Sequence, residues 1–128
     1  MTDKRGLLDT SVFVAIEAGR PLNELPTEAA ISVVTLGELH AGVLAAKDGA
    51  ARALRLATLA YAEANFEAIP IDERVAREWG RLVVEARDRN RRAPINDTWI
   101  AATAIVHGLV VVTQDNDYDA LDVPVIIV

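Results

Sequence analysis

The chain predicts a single α/β domain with a mainly parallel central sheet of about five short strands flanked by helices. Three observations carry this expectation. Short apolar runs alternate with longer amphipathic segments, the rhythm of successive βα units. Leu109-Val110-Val111-Val112 is apolar without alternation, as in a strand covered on both faces. Finally, 128 residues suit one domain that buries about two-thirds of the unfolded chain's surface, so residues 1–128 are taken as one unit.

The elements follow in order. Leu7-Leu8 ends a buried strand, and Val12-Phe13-Val14-Ala15-Ile16 is a helix preceded by Asp9, Thr10 and Ser11, all residues that cap helix N-termini. Arg20 to Thr27 holds Pro21 and Pro26 and is a connection. Ala30-Ile31-Ser32-Val33 is a second strand. Thr35 opens a helix with Glu38 three positions on, the spacing of a capping box; it runs to about Lys47 and Gly49 breaks it. Ala50 to Asn65 is a third helix of good helix formers. Phe66 to Ile71 is a third strand, and Asp72 to about Asn90 a long amphipathic helix. After the linker Arg91-Arg92-Ala93-Pro94-Ile95, Asn96 caps a fifth helix that Gly108 ends. Leu109–Val112 and Val123–Val128 supply the last strands.

Composition narrows the function classes. With 52% apolar residues and no cysteine, disorder, a disulfide scaffold and thiol chemistry are excluded. The opening Met1-Thr2-Asp3-Lys4-Arg5-Gly6 leads to only two leucines before Asp9. That is too short for a signal peptide, and no run reaches membrane-span length, so a cytoplasmic protein with no membrane partner is expected. The 19 acidic residues against 13 Lys and Arg give a net charge of −6. This balance speaks, on its face, against a nucleic-acid partner, because phosphate binding is driven by basic residues.

Placement matters more than the balance. In parallel sheets the site lies at the strands' carboxyl ends, where Asp9 and Asp115 fall. The bland alternatives are an N-cap for Asp9 and a turn residue for Asp115. Glu38 sits in a mostly apolar helix, with the capping box as its alternative. Asp97, in the first turn of its helix, shares a face with Ile100, Ala101, Ala104 and Ile105. A favourable dipole interaction of about 0.3–1 kcal/mol is its structural alternative. Two carboxylates ~5 Å apart repel by roughly 3 kcal/mol at an effective dielectric of about 20. Four converging acids therefore require bound protons or a hard divalent cation. An all-oxygen set favours Mg²⁺ or Mn²⁺ over Zn²⁺, and with it phosphoryl or phosphodiester cleavage.

Four motifs then carry a family resemblance. Leu7-Leu8-Asp9-Thr10-Ser11-Val12, Thr35-Leu36-Gly37-Glu38-Leu39, Asn96-Asp97-Thr98-Trp99-Ile100-Ala101-Ala102-Thr103-Ala104 and Val112-Thr113-Gln114-Asp115-Asn116-Asp117-Tyr118-Asp119 resemble, in order, the acidic motifs of PIN-domain nucleases. The chain is most similar to the VapC-like toxins of toxin–antitoxin pairs, and the resemblance spans its whole length. It implies that Asp9, Glu38, Asp97 and Asp115 are metal-binding and catalytic, with Asp117 an additional acid near the metal. Thr10, Ser11 and Thr113 occupy positions where the family has hydroxyls bonding acids or substrate. The implied activity is a Mg²⁺- or Mn²⁺-dependent endoribonuclease acting on structured RNA such as tRNA or rRNA. The implied partners are a VapB-like antitoxin that blocks the site, a second copy in a homodimer, and operator DNA only through the antitoxin.

The charge objection is thereby answered: metal would neutralise the clustered acids, and Arg87, Arg89, Arg91 and Arg92 gather just before the Asp97 motif. These arginines are candidates for RNA-backbone contact, against a solvated helix end. Arg74, Arg77 and Arg81 interleave with Glu73, Glu78 and Glu85 as exposed helix pairs. His40 and His107 lack ligand spacing, Trp79 and Trp99 suit packing, and the apolar helices near Val12–Ile16 and Ala51–Ala62 could form an antitoxin groove over their core role. Two competing classes are weaker. A carboxylate-based phosphatase would want an acid where Ser11 stands, and a receiver would want a late lysine, yet none follows Lys47. An inactive PIN-like interaction module would have no use for four retained acids.

Overall fold

Ten elements follow one another along residues 4–128, the part of the chain that this computed structural model describes. They are β1 (Gly6–Leu8), α1 (Thr10–Glu17), β2 (Ala29–Ser32), α2 (Val33–Leu44), α3 (Gly49–Asn65), β3 (Ala68–Ile69), α4 (Glu73–Asp88), α5 (Ile95–His107), β4 (Val110–Thr113) and β5 (Val125–Ile127). The Met1–Asp3 part of the N-terminal expectation lies outside the described residues. The strands form one sheet in the order β3-β2-β1-β4-β5, every neighbouring pair parallel. Among the described residues no helix is long and apolar enough to cross a membrane.

The unalternating strands are explained by the two layers they serve. In register, Leu7 pairs with Val111 and Leu8 with Val112, and successive side chains point to opposite faces. Leu7 and Val111 join Val75 and Leu82 of α4 and Ile100, Ala101 and Ala104 of α5 in one apolar core. Leu8, Val110 and Val112 join Val12 and Phe13 of α1 and Ala62 of α3 in the other. Phe13 is fully buried and meets Phe66 edge-on at 5.6 Å between ring centroids. We expect Phe13→Ala to cost about 3–5 kcal/mol, read from the urea midpoint. A loss below about 1 kcal/mol would show that this second core does not govern folding.

Several local expectations are corrected. The cap of α2 is Ser32, whose side chain accepts from Val34 N at 3.0 Å, so the chain passes from strand to helix without a loop. Thr35 lies inside the helix and is buried, and there is no capping box with Glu38. The serine that closes the strand is already in place for the free amides, so the later threonine is not used. Gly49 does not break a helix but starts α3, capped by Asp48 accepting from Ala51 N; α2 has ended at Leu44. Asn96 is not the cap of α5, which starts at Ile95 with Pro94 at the cap position and no side-chain cap. There the Pro94 carbonyl accepts from both Thr98 N and Thr98 Oγ1. The third strand shrinks to Ala68–Ile69, because Phe66 turns into the aromatic cluster and Pro70 has no N–H for a ladder.

Other expectations hold. The long fourth helix forms as Glu73–Asp88, with Asp72 standing before it as the cap that accepts from Val75 N, and Arg81 pairs with Glu78 and Glu85 along it. Gly108 ends α5 at φ 66°, a left-handed conformation that glycine adopts without steric cost. Trp79 and Trp99 stack at 4.7 Å and 13° where α4 packs on α5.

Candidate active site

The strand order places the site. From β1 the sheet grows one way through β2 and β3 and the other way through β4 and β5, so the winding reverses between β1 and β4. Crevices at such switch points, beyond the strands' carboxyl ends, are where α/β sheets bind ligands. Asp9 follows β1 immediately, its N–H donating to Val112 O at 2.8 Å, and Asp115 follows β4 by two residues. The helix α2 leaves the end of β2 and carries Glu38 in its second turn. The helix α5 runs down to the start of β4, so its first turn, with Asp97, stands at the same edge.

Asp9 is the most firmly held of these acids. It is 4% exposed and sits at the N-cap position of α1, yet its side chain makes no cap bond. Its carboxylate instead accepts from three hydroxyls. Ser11 Oγ and Thr113 Oγ1 donate to Oδ2 at 2.8 and 2.9 Å, and the Tyr118 hydroxyl donates to Oδ1 at 3.0 Å. Ser11 Oγ in turn accepts from Gln114 N at 3.0 Å, and Thr113 Oγ1 lies 3.3 Å from Asp115 Oδ1. One polar network thus ties the mouths of the two central strands together. On the other side, Thr10 Oγ1 donates to Glu38 Oε1 at 2.7 Å and lies 3.1 Å from the buried Thr35 Oγ1. That network aims Glu38 at the start of α1 rather than at the end of its own helix.

The electrostatics show the convergence. Burial, then the charges of Asp9, Asp117, Asp115 and Glu38, push the Asp97 carboxyl up to about 7. Burial, with Asp9 and Asp117 adding to it, also raises Asp115, against hydrogen bonds from the Asp117 amide and Thr113 that lower it. Among the described residues, the ion pairs formed by Lys and Arg go to Asp72, Glu78 and Glu85 and to none of these five acids. An all-oxygen set without basic counter-charge suits a hard divalent cation. Among the described residues no three acids close on one point as a cage. A hard divalent cation at this edge would keep several waters and meet one or two carboxylates directly. Asp9 and Asp97 are the residues that would hold it, with Asp115, Glu38 and Asp117 around them.

The basic run lies beside this edge. Arg87, Asn90, Arg91 and Arg92 line a cavity of about 440 Å³ together with Thr98, the residue after Asp97. Arg91 donates to Asp119 O at 3.0 Å and Arg89 to Ala120 O at 3.4 Å. His40 is exposed, 3.9 Å from Glu63, and stands apart from the acids. Val12, Phe13 and Ala15 of α1 and Leu59 and Ala62 of α3 are core. Val14, Leu54, Leu56 and Tyr61 of the same helices, with Leu44, expose large apolar side chains.

Two site residues escape the sequence reasoning. Thr35 signals itself only by its i, i+3 spacing to Glu38, which also fits a cap. Tyr118 stands among acids in Asp115-Asn116-Asp117-Tyr118-Asp119, where a lone aromatic with Leu121 three positions on marks a turn packed on one side.

Comparison with known proteins gives consistent findings. The PIN domain family matches residues 6–124. Ribonuclease VapC4 of Mycobacterium tuberculosis is 51% identical over 129 residues, covering 98% of each chain. Ribonuclease VapC5 of the same organism is 50% identical over 123 residues, covering 94% of this chain and 90% of the relative. Among solved structures, VapBC-5 from Mycobacterium tuberculosis, a member of the VapBC family of toxin–antitoxin systems, superposes with a TM-score of 0.90. It is 46% identical and covers 98% of this chain and 99% of the other.

Proposed function

Since this chain belongs to the PIN-domain family, we propose that it is the ribonuclease toxin of a toxin–antitoxin pair, cutting phosphodiester bonds of structured RNA such as tRNA or rRNA. The observation that carries this reading is the convergence of Asp9, Glu38, Asp97, Asp115 and Asp117 at the switch point of the sheet. Relatives about half identical over nearly the whole chain are ribonucleases by name, which supports the activity, and the similar VapBC-5 toxin–antitoxin structure supports a VapB-like antitoxin as partner.

Within this reading, Asp9 and Asp97 would hold Mg²⁺, for which Mn²⁺ can substitute, and the ion would supply activation of water and neutralisation of phosphate charge. The chain's own residues do the rest. Asp9 and Asp97 offer carboxylate oxygens from two elements fixed on either side of the crevice. Ser11 and Thr113 orient Asp9, Thr10 orients Glu38, and Asp115 and Asp117 complete the negative wall. Arg87, Arg89, Arg91 and Arg92 present guanidinium groups beside that wall, where a phosphate backbone is attracted. The exposed apolar side chains of α1, α2 and α3 offer a surface for an antitoxin segment in the helix-in-groove mode. Operator DNA is met only through the antitoxin, the working unit is a homodimer, and the protein acts in the cytoplasm.

The test is metal removal. Cleavage of total cellular RNA by the purified chain stops with EDTA and returns with Mg²⁺ or Mn²⁺. Mapping of 5′ ends after brief expression shows discrete new termini in structured RNA. Cleavage that persists under chelation would overturn the metal-dependent mechanism.

A further inference from the structure

The turn at 115–122 has a job that the acids alone do not explain. Its tyrosine is 2% exposed and its Leu121 6%, and both belong to the core under α4 and α5. The turn closes on itself through Asp119 N to Asn116 O, Leu121 N to Tyr118 O, and Asp117 N to Asp115 Oδ1. From this frame the Tyr118 hydroxyl reaches across 109 residues of sequence to Asp9 Oδ1, the oxygen that Ser11 and Thr113 leave free. The outer rim of the same turn is held from the opposite side. Arg91 and Arg89 of the connector between α4 and α5 donate to the carbonyls of Asp119 and Ala120, flanking Tyr118 on its C-terminal side. Asn90 adopts φ 56° where α4 stops, so the chain reverses and brings both arginines onto the turn.

We propose that Tyr118 is a positioning residue for Asp9, and that Arg91 acts on the site through it by clasping the turn that carries the tyrosine. The proposal rests on the ribonuclease reading for the role of Asp9, but its geometry does not. Of Asp9's two oxygens, Oδ2 is fixed by two hydroxyls from β4 and α1, while Oδ1 is fixed by Tyr118. Losing that donor frees the carboxylate to rotate about its Cβ–Cγ bond. This contact gives Arg91 a role beyond the phosphate attraction of the basic run, because one guanidinium nitrogen is directed at a backbone carbonyl of the turn.

The test is a double-mutant cycle of Tyr118→Phe and Arg91→Ala, read both as kcat and KM for RNA cleavage and as Mn²⁺ affinity by calorimetry. Tyr118→Phe keeps the buried ring, so the protein still folds, with a melting temperature a few degrees below the parent's for the lost hydrogen bond. It lowers kcat and Mn²⁺ affinity by about 10–100-fold, the usual effect of removing a partner that orients a metal ligand, with KM little changed. Arg91→Ala gives a smaller loss in the same quantities, and adds less than about 2-fold in the Tyr118→Phe background, since coupled residues are not additive. Losses that multiply, or an Arg91→Ala effect confined to KM, would overturn the clasp and make Arg91 a strand contact. A Tyr118→Phe protein with unchanged Mn²⁺ affinity would overturn the positioning role. If the parent cuts no RNA while Tyr118→Phe still weakens Mn²⁺ binding, the ribonuclease reading fails and the positioning stands.

Discussion

Asp97→Asn abolishes RNA cleavage and, with metal removed, makes the protein more stable at neutral pH. Asp97 is held near Asp9, Asp117, Asp115 and Glu38, and burial together with those charges pushes its carboxyl up to about 7. In the unfolded chain an aspartate titrates near 3.9. The folded value is therefore the higher one, so the unfolded state loses its proton first as pH rises. Below about pH 4 both states are protonated and the group is neutral to stability. Between about 4 and 7 the ionised form becomes favoured only in the unfolded chain, and above 7 the full penalty is present. Asn carries no charge and escapes it.

The melting temperature of the variant in EDTA should thus match the parent's near pH 4 and exceed it by a few degrees at pH 7.5. That size corresponds to roughly 1 kcal/mol, after discounting for the solvent that reaches this half-buried group. Cleavage falls by on the order of 10³-fold or more, as for loss of a residue acting within a catalytic unit. Thermal melts across this pH range and a quantitative cleavage assay check both halves. A variant that melts below the parent at pH 7.5 would show that the acids are not in electrostatic conflict, and undiminished cleavage would remove Asp97 from the site.

Asp9→Ala has the same effect on activity and the opposite effect on stability. Its carboxylate is the shared acceptor for Ser11, Thr113 and Tyr118, and it is almost fully buried. Truncation strands those donors, at about 1–3 kcal/mol for each buried group left without a partner. Taking one negative charge from the cluster offsets part of this, by relieving Asp97 and Asp115. That relief acts on half-exposed groups screened by water, so the stranded hydroxyls prevail. Urea unfolding in EDTA should place Asp9→Ala below the parent and Asp97→Asn above it. Equal midpoints for the two variants would mean that the three hydroxyls find other partners, and that the network does not hold Asp9.

Much of this molecule is written in local spacing. Periodicity alone distinguishes the strands from the helices, because a run such as Leu109–Val112 has only one comfortable place, between two helical layers. The same spacing sets Asp97 on the apolar face of its helix, with Ile100, Ala101 and Ala104, all of which the structure buries completely. The acids at the strand mouths were therefore legible as a candidate site, and their mutual repulsion pointed to a cation. The net charge of −6 was misleading because it sums groups whose positions have opposite meanings.

What sequence alone determined, then, is the fold class and the four acidic motifs, since each is carried by residues within a few positions of one another. Only the tertiary structure decided which donor serves which acceptor. It gave the cap of α2 to Ser32 rather than Thr35, because strand and helix meet without a loop. It brought Tyr118 and Thr113 to Asp9 from 109 and 104 residues away, because β1 and β4, distant along the chain, are neighbours in the sheet. It also turned two arginines of the basic run onto the carbonyls of the Tyr118 turn. Periodicity encodes which face a side chain shows, whereas the partner waiting on that face is set by the order of the strands.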